Sequence, residues 1–427
     1  MPSPMPPTST PARLSDLGQR ARLPAVAALM AKAIETPGLL SVAAGMTDSA
    51  TLPVREFAEA AQALAARGGD PDYLNYGTTQ GRAGLRRILA DRLRFWEPAL
   101  AGEDLESRLL VTTGSQQALY VAVQSVCNPG DIVLVDRPSY FAFLDVATSL
   151  GARPVSLPYD AAGRLEESAV ESLLADLRAR GELARVKAVY LVSYFSNPSG
   201  RSLAESDKAA LGRVLARHGV VVPLLEDVAY RELYFDEPFP ARSALTLPEW
   251  QGFPLLYCAT LTKPFSTGGK VGWSYCTDPV WFRQMLAIKG THDFGSSNYA
   301  QAVFEVFLGR GAFDTHVPKV RRGYKVKMQA LHEGLLEGGL RDLGWTWDVP
   351  TGGMYLWLRA PDHVDTGMDG AFCAECLRSG VLYVPGDLCF GDRPERNWIR
   401  ASYGVLPPDQ LREAGRRLAA VARRFAR

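Results

Sequence analysis

Apolar residues recur along this chain in two rhythms, and their alternation predicts its architecture. Short, nearly unbroken apolar runs occur at 109–114 (LLVTTG), 131–135 (DIVLV), 152–156, 186–192, 220–225 and from 255 onward. Such runs suit strands of a parallel sheet, which are covered on both faces. Between them, apolar positions fall at helical spacing over 54–67, from Ser115 onward, and over 165–180 and 205–217. A helix is also predicted from Leu23 to Ile34, ended by Thr36-Pro37-Gly38. The alternation implies an α/β fold with a doubly wound, mostly parallel sheet and right-handed crossovers. From about residue 320 the pattern changes to a long helix at 316–336, extended runs at 345–349 and 352–357, a helix at 370–379, and further runs at 381–385 and 397–403. That part reads as a smaller α+β domain.

The length of 427 residues allows a large core and favours two closely joined domains. Apolar residues at 47% and charged residues at 22% match an ordinary soluble enzyme. A formal net charge of +1 argues against a nucleic-acid footprint or a polybasic membrane surface. No apolar run approaches the roughly 18 residues of a membrane span, and the start MPSPMPPTSTPARL lacks the order of a secretory signal. A cytoplasmic location is expected, with residues 1–12 as a flexible tail. Cys373 and Cys376 form a CxxC without a second pair nearby, and the five histidines show no ligand spacing, so no metal is expected.

The chemistry concentrates in LLYCATLTKPFSTGGKVGWSY, 255–275. Pro264 directly after Lys263 keeps the lysine out of a helix interior and displays it at a turn. Thr260, Thr262, Ser266 and Thr267 surround it with short donors, while Tyr257, Phe265 and Trp273 are expected to desolvate the amine, which could then form a Schiff base with an aldehyde. At 109–119, strand, small turn and helix start put Gly114, Ser115 and Gln116 where backbone N–H groups and the helix dipole hold a phosphate. Asn197, in SYFSNPSG, follows a strand end, where open α/β sheets bind ligands. Asp227 ends an apolar run, where a carboxylate is costly unless paired. Arg400 in NWIRASY stands between apolar neighbours and needs an anion.

These segments, in this order over roughly 20–425, resemble pyridoxal phosphate-dependent enzymes of the aminotransferase fold (fold type I, class I/II), in the subgroup of 2-aminoadipate and kynurenine aminotransferases. The resemblance implies pyridoxal 5'-phosphate as cofactor and Lys263 as the Schiff-base lysine, with Thr260 in the serine position of an S-x-x-K segment. It further implies that Gly114, Ser115 and Gln116 cradle the phosphate and that Tyr140 lies against the pyridine ring. Asn197 and Tyr230 donate to the ring's phenolate oxygen, and Asp227 pairs with the ring nitrogen. Arg400 grips the substrate α-carboxylate, while Gly45 lines that side of the site and Asn197 also borders the substrate. Tyr76, in LNYGTTQG, reaches the cofactor phosphate of the other subunit in a homodimer, and a hydroxyl in SSNYAQ (296–301) approaches it too.

The family arrangement implies an N-terminal segment 13–53 that joins a small domain 321–427, beside a large domain 54–320. Two departures stand out: Lys270 replaces the phosphate-binding arginine, and Ala44-Gly45-Met46-Thr47 replaces a glycine pair followed by proline. The implied reaction moves an amino group from an α-amino acid to a 2-oxo acid. The departures keep open elimination, replacement, carbon–carbon bond formation or oxidation. Ala28, where some relatives present an arginine, argues against an acidic substrate. Regulators built on this fold carry a winged helix, for which the short N-terminal stretch leaves no room.

Overall fold

Twelve strands are described: β1 (Leu40–Ser41), β2 (Leu109–Thr113), β3 (Ile132–Val135), β4 (Arg153–Ser156), β5 (Val186–Val192), β6 (Leu224–Asp227), β7 (Leu255–Thr260), β8 (Val271–Cys276), β9 (Tyr355–Arg359), β10 (Val381–Leu382), β11 (Val384–Pro385) and β12 (Trp398–Ser402). They come from a computed structural model describing residues 12–24, 27, 31, 36, 38–66, 71–160 and 162–426. The tail at 1–12, the helix expected at 23–34 and Ala28 lie largely or wholly outside those residues.

Seven strands form the main sheet in the order β2-β8-β7-β6-β5-β3-β4. All neighbours are parallel except β8, which runs antiparallel to β2 and β7. Its direction follows from its link: residues 261–270 are too few for a helical crossover, so the chain turns back. Successive side chains alternate between faces. Val133 and Val135 pack under helices Gly114–Val126, Phe141–Ser149 and Pro279–Asp293, whereas Ile132 and Leu134 pack under Glu167–Ala179 and Glu205–Arg217. The continuous apolar runs are therefore buried on both sides.

Residues after 316 form a second layer built on helices Val317–Glu337 and Pro408–Arg423 and on an antiparallel sheet, β11-β12-β9. The N-terminal segment joins it: β1 pairs in parallel with β10, Leu40 opposite Val381, and Ser402 donates its N–H to the Val42 carbonyl at 2.7 Å.

Some elements differ from expectation for local reasons. The strand expected at 220–225 is β6, because Pro223 cannot donate to a ladder. The run 345–349 makes a single bridge, Thr346 to Arg359, and the 352–357 strand begins at Tyr355, after two glycines. A short helix, Asp16–Arg20, is capped by the Ser15 hydroxyl accepting from the Gly18 N–H. Among the described residues, no helix is long and apolar enough to cross a membrane, and no three His, Cys, Asp or Glu side chains group as a metal site.

Candidate active site

The parallel strands β5, β6 and β7 deliver the site at their carboxyl ends, where a doubly wound sheet leaves a crevice. Two adjacent carboxylates on β6 illustrate how strand geometry assigns roles. Glu226 faces one side and accepts from the Ser193 hydroxyl at 2.7 Å, the Ala244 N–H at 3.0 Å, the Ser243 hydroxyl, and the buried Lys208 amine at 3.4 Å. Its lone pairs are satisfied within the fold. Asp227 faces the other side, where it accepts from the Ala229 N–H at 3.0 Å and the Tyr190 hydroxyl at 2.9 Å. Burial pushes its carboxyl up to about 6, against the downward pull of these two hydrogen bonds and of Lys263.

Lys263 stands in the turn after β7 and donates from Nζ to the Gly45 carbonyl at 2.7 Å. The Tyr230 ring faces the amine, with its centroid 5.9 Å away. Tyr257, Phe265 and Trp273, expected to enclose the amine, instead pack in the core, Tyr257 against Trp273 and Phe265 against Phe307 and Phe313. The Tyr230 hydroxyl lies 3.1 Å from that of Tyr355.

Arg400 points from β12 into the same cluster. It donates from Nη1 to Asn197 Oδ1 at 3.0 Å and from Nη2 to the Ala43 carbonyl at 2.6 Å, and its guanidinium lies 4.4 Å from the centroid of Tyr355. The residue is 1% exposed, Nε has no partner, and among the described residues no carboxylate comes within ion-pair distance. A buried cation without a carboxylate partner is costly to the fold.

The turn expected to cradle a phosphate connects to the lysine turn through β8. Helix Gly114–Val126 starts directly after β2, one residue earlier than expected, which puts Ser115 in its first turn. The opening N–H groups of a helix have no intrahelical acceptor. Gly272, opposite Thr260 on β7, lies so close to this turn that a Cβ would come within 2.3 Å of the Ser115 nitrogen. Thr260 shapes the lysine turn, its hydroxyl accepting from the Thr262 N–H at 3.1 Å and meeting the Thr262 hydroxyl at 2.8 Å. The Gln116 side chain donates to the Ala142 carbonyl at 3.2 Å, beside the helix that Tyr140 precedes. Burial holds the Tyr140 phenol above its ordinary range, with Tyr355 and Asp227 adding to the effect. Ser296 accepts a hydrogen bond from Thr113 at 3.2 Å.

Lys263, Asp227, Asn197, Tyr230, Arg400, Gly45 and Tyr140 are thus gathered in one cluster. Lys270 is exposed at φ 52°, in the turn before β8. Tyr76 stands apart, 91% exposed and 5.9 Å from the ring of Phe294. Two groups in the cluster were missed, Tyr190 and Tyr355. Their one signal is a hydroxyl inside an apolar strand, which must find a polar partner once buried.

An aldehyde-bearing pyridine phosphate fits these residues: an amine at a turn, a buried carboxylate, open N–H groups at a helix start, and a cation left for the substrate. Residues 39–418 match the family described as aminotransferase class I and II. The aromatic-amino-acid aminotransferase 1 of Thermococcus litoralis is 29% identical over 91% of this chain and 89% of its own. The 2-aminoadipate transaminase of Thermus thermophilus is 30% identical over 91% of each chain. The kynurenine aminotransferase of Pyrococcus horikoshii, solved with PMP, superposes with a TM-score of 0.85 at 28% identity, over 97% of this chain and 98% of its own. The chain belongs to the aminotransferase class I and II family, as a pyridoxal phosphate-dependent enzyme of fold type I that transfers the amino group of an amino acid.

Proposed function

We propose that the cluster around Lys263 is the catalytic centre and that Arg400 binds the α-carboxylate of an amino acid with an uncharged side chain, the amino group passing on to a 2-oxo acid. The observation that carries this reading is the buried Arg400 guanidinium, with a free Nε and no carboxylate in reach. The rings of Tyr355 and Phe141, 4.4 and 5.1 Å from the guanidinium, leave little polar surface around it for a second charge on the substrate.

Bound pyridoxal 5'-phosphate supplies an aldehyde for the amine and a ring that withdraws electrons from the substrate α-carbon. Lys263 would hold it covalently through Nζ, and Asp227 would keep a proton on its ring nitrogen. Asn197 and Tyr230 donate to its phenolate oxygen, and Tyr140 covers one ring face and excludes water. The N–H groups of Gly114, Ser115 and Gln116 hold the phosphate, assisted by Thr260 and Lys270. Arg400 and the Gly45 wall orient the substrate so that its α-hydrogen points at Lys263. The Lys263 amine would act there as the general base that takes up that proton and gives it back.

The exposed apolar side chains Leu74, Tyr76, Phe294 and Tyr299 support assembly as a homodimer, in which Tyr76 serves the neighbouring site. The cytoplasm is the proposed location. A second reading, elimination, replacement, carbon–carbon bond formation or oxidation on the same cofactor, is favoured by Lys270 standing exposed where relatives carry an arginine. Full-length protein loaded with pyridoxal 5'-phosphate and given a panel of amino acids separates the two. Pyridoxamine phosphate appearing with an equal amount of 2-oxo acid supports transamination; ammonia release or oxygen uptake as the main outcome overturns it.

A further inference from the structure

The roles above leave the phenol of Tyr355 on β9 unused. Its oxygen is 3.1 Å from the Tyr230 hydroxyl, and a Cβ on Gly45 would come within 2.9 Å of it. Tyr355 therefore lies against the same glycine whose carbonyl holds the Lys263 amine. Arg400 stands over its ring at 4.4 Å. Two cations face this phenol, while the cluster's one carboxylate, Asp227, has its charge discouraged by burial.

The remaining titratable groups around Tyr355 are Tyr140 and Tyr230 within the cluster, and Cys389, Tyr324 and Tyr403 from the surrounding elements. Burial holds all five above their ordinary values, Cys389 at about 12, so each stays neutral. For Tyr355 itself burial acts in the same upward direction. In the cofactor-free protein it is outweighed by Lys263, by Arg400 and by the hydrogen bond from Tyr230, whose one proton is then not committed to a cofactor oxygen, so this phenol alone in the cluster ionises more readily than usual.

We propose that Tyr355 is the counter-anion of the substrate site, its phenolate facing Lys263 and Arg400 until a substrate carboxylate reaches Arg400, whereupon Tyr355 takes up one proton from solvent. The idea rests on the carboxylate-binding role proposed for Arg400. A bound carboxylate neutralises the cation that stabilised the phenolate, so the proton returns to the phenol oxygen and the hydrogen bond with Tyr230 is kept. By linkage, carboxylate affinity then falls about tenfold per pH unit above the Tyr355 pKa.

Full-length protein, cofactor-free and cofactor-loaded, is titrated by tyrosinate ultraviolet absorbance with and without hydrocinnamate, a carboxylate that lacks an amine. Cofactor-free wild type should show one tyrosine ionising below the rest, and loading the cofactor, which draws the Tyr230 proton, should move it upward. That component should vanish in Tyr355→Phe and move upward in Tyr230→Phe, which also decides the matter if Tyr355→Phe does not fold. Hydrocinnamate should raise it, with about one proton taken up per ligand bound, and the pH slope of hydrocinnamate affinity should flatten in Tyr355→Phe. An early-ionising tyrosine that survives Tyr355→Phe, or an unchanged pH slope in that variant, overturns the proposal. If the early component is present but hydrocinnamate binds neither wild type nor Arg400→Lys, the Arg400 role fails and the coupling fails with it, while the ionisation of Tyr355 stands.

Discussion

The Tyr190 hydroxyl on β5 donates to Asp227 Oδ2 on β6 across 2.9 Å, and both groups are buried. Tyr190 in turn stacks on Phe143, with ring centroids 3.6 Å apart, so the donor is locked in place. The carboxylate proposed to face the cofactor ring is thus aimed by a neighbouring strand, and its protonation is coupled to the stability of the sheet.

Because burial raises Asp227 to about 6, above its ordinary 3.8, the folded protein binds this proton more tightly than the unfolded chain. The contribution is therefore present at low pH and lost as pH rises from about 4 to about 6, amounting to about 3 kcal/mol at most. Denaturant unfolding of cofactor-free protein should show that loss. Asp227→Asn should remove it, leaving the slope of Asp136, which burial raises to about 7 with the same sign, so that the remaining loss runs on to about pH 7.

Tyr190→Phe leaves the ring stack intact and deletes one donor to a buried carboxylate. Stability should fall by about 1–3 kcal/mol, and the Asp227 titration, followed by NMR, should move further up.

Lys263→Ala removes both the covalent anchor and the base. Borohydride should no longer fix pyridoxal phosphate to the protein. Turnover of any amino acid found active should fall by at least about 100- to 10,000-fold, the span expected for losing a general base.

Arg400→Lys keeps the charge but not the planar fork that Asn197 and Ala43 hold in place. Amino-acid KM should rise by about 10- to 100-fold, from about 1.5–3 kcal/mol of lost charge-assisted hydrogen bonding, while cofactor affinity changes little.

Gly272→Ala puts a methyl group on the Gly114–Ser115 backbone, which cannot move aside as a side chain would. Thermal stability should drop by an amount corresponding to about 1–3 kcal/mol, and pyridoxal phosphate should bind more weakly by equilibrium dialysis, because the cradle itself is displaced.

Ile132–Val135 and Val186–Val192 were legible as strands because a sheet covered on both faces needs an unbroken apolar run. Asp227 and Arg400 were legible because an ionisable group in such a run is costly without a partner. Tyr190 and Tyr355 were not, since a tyrosine in a strand has the signature of ordinary core. The enclosure of Lys263 was misjudged because neighbours in sequence, such as Phe265, turn into the core, whereas Tyr230 arrives from another strand. The β1–β10 pairing joins opposite ends of the chain and leaves no local trace. Tyr76 is exposed in a single chain, so its proposed place depends on a second copy.

Arg400 and Lys263 both donate to main-chain oxygens on one extended piece of chain, those of Ala43 and Gly45. That piece continues from β1 and is stitched to the far end of the chain, Val42 N–H to the Leu382 carbonyl at 2.8 Å. The two positive groups therefore share a tether: if the ribbon slides outward, both are released together, and if it is pinned, both stay poised. Any displacement of those few residues would reach the amine and the guanidinium alike.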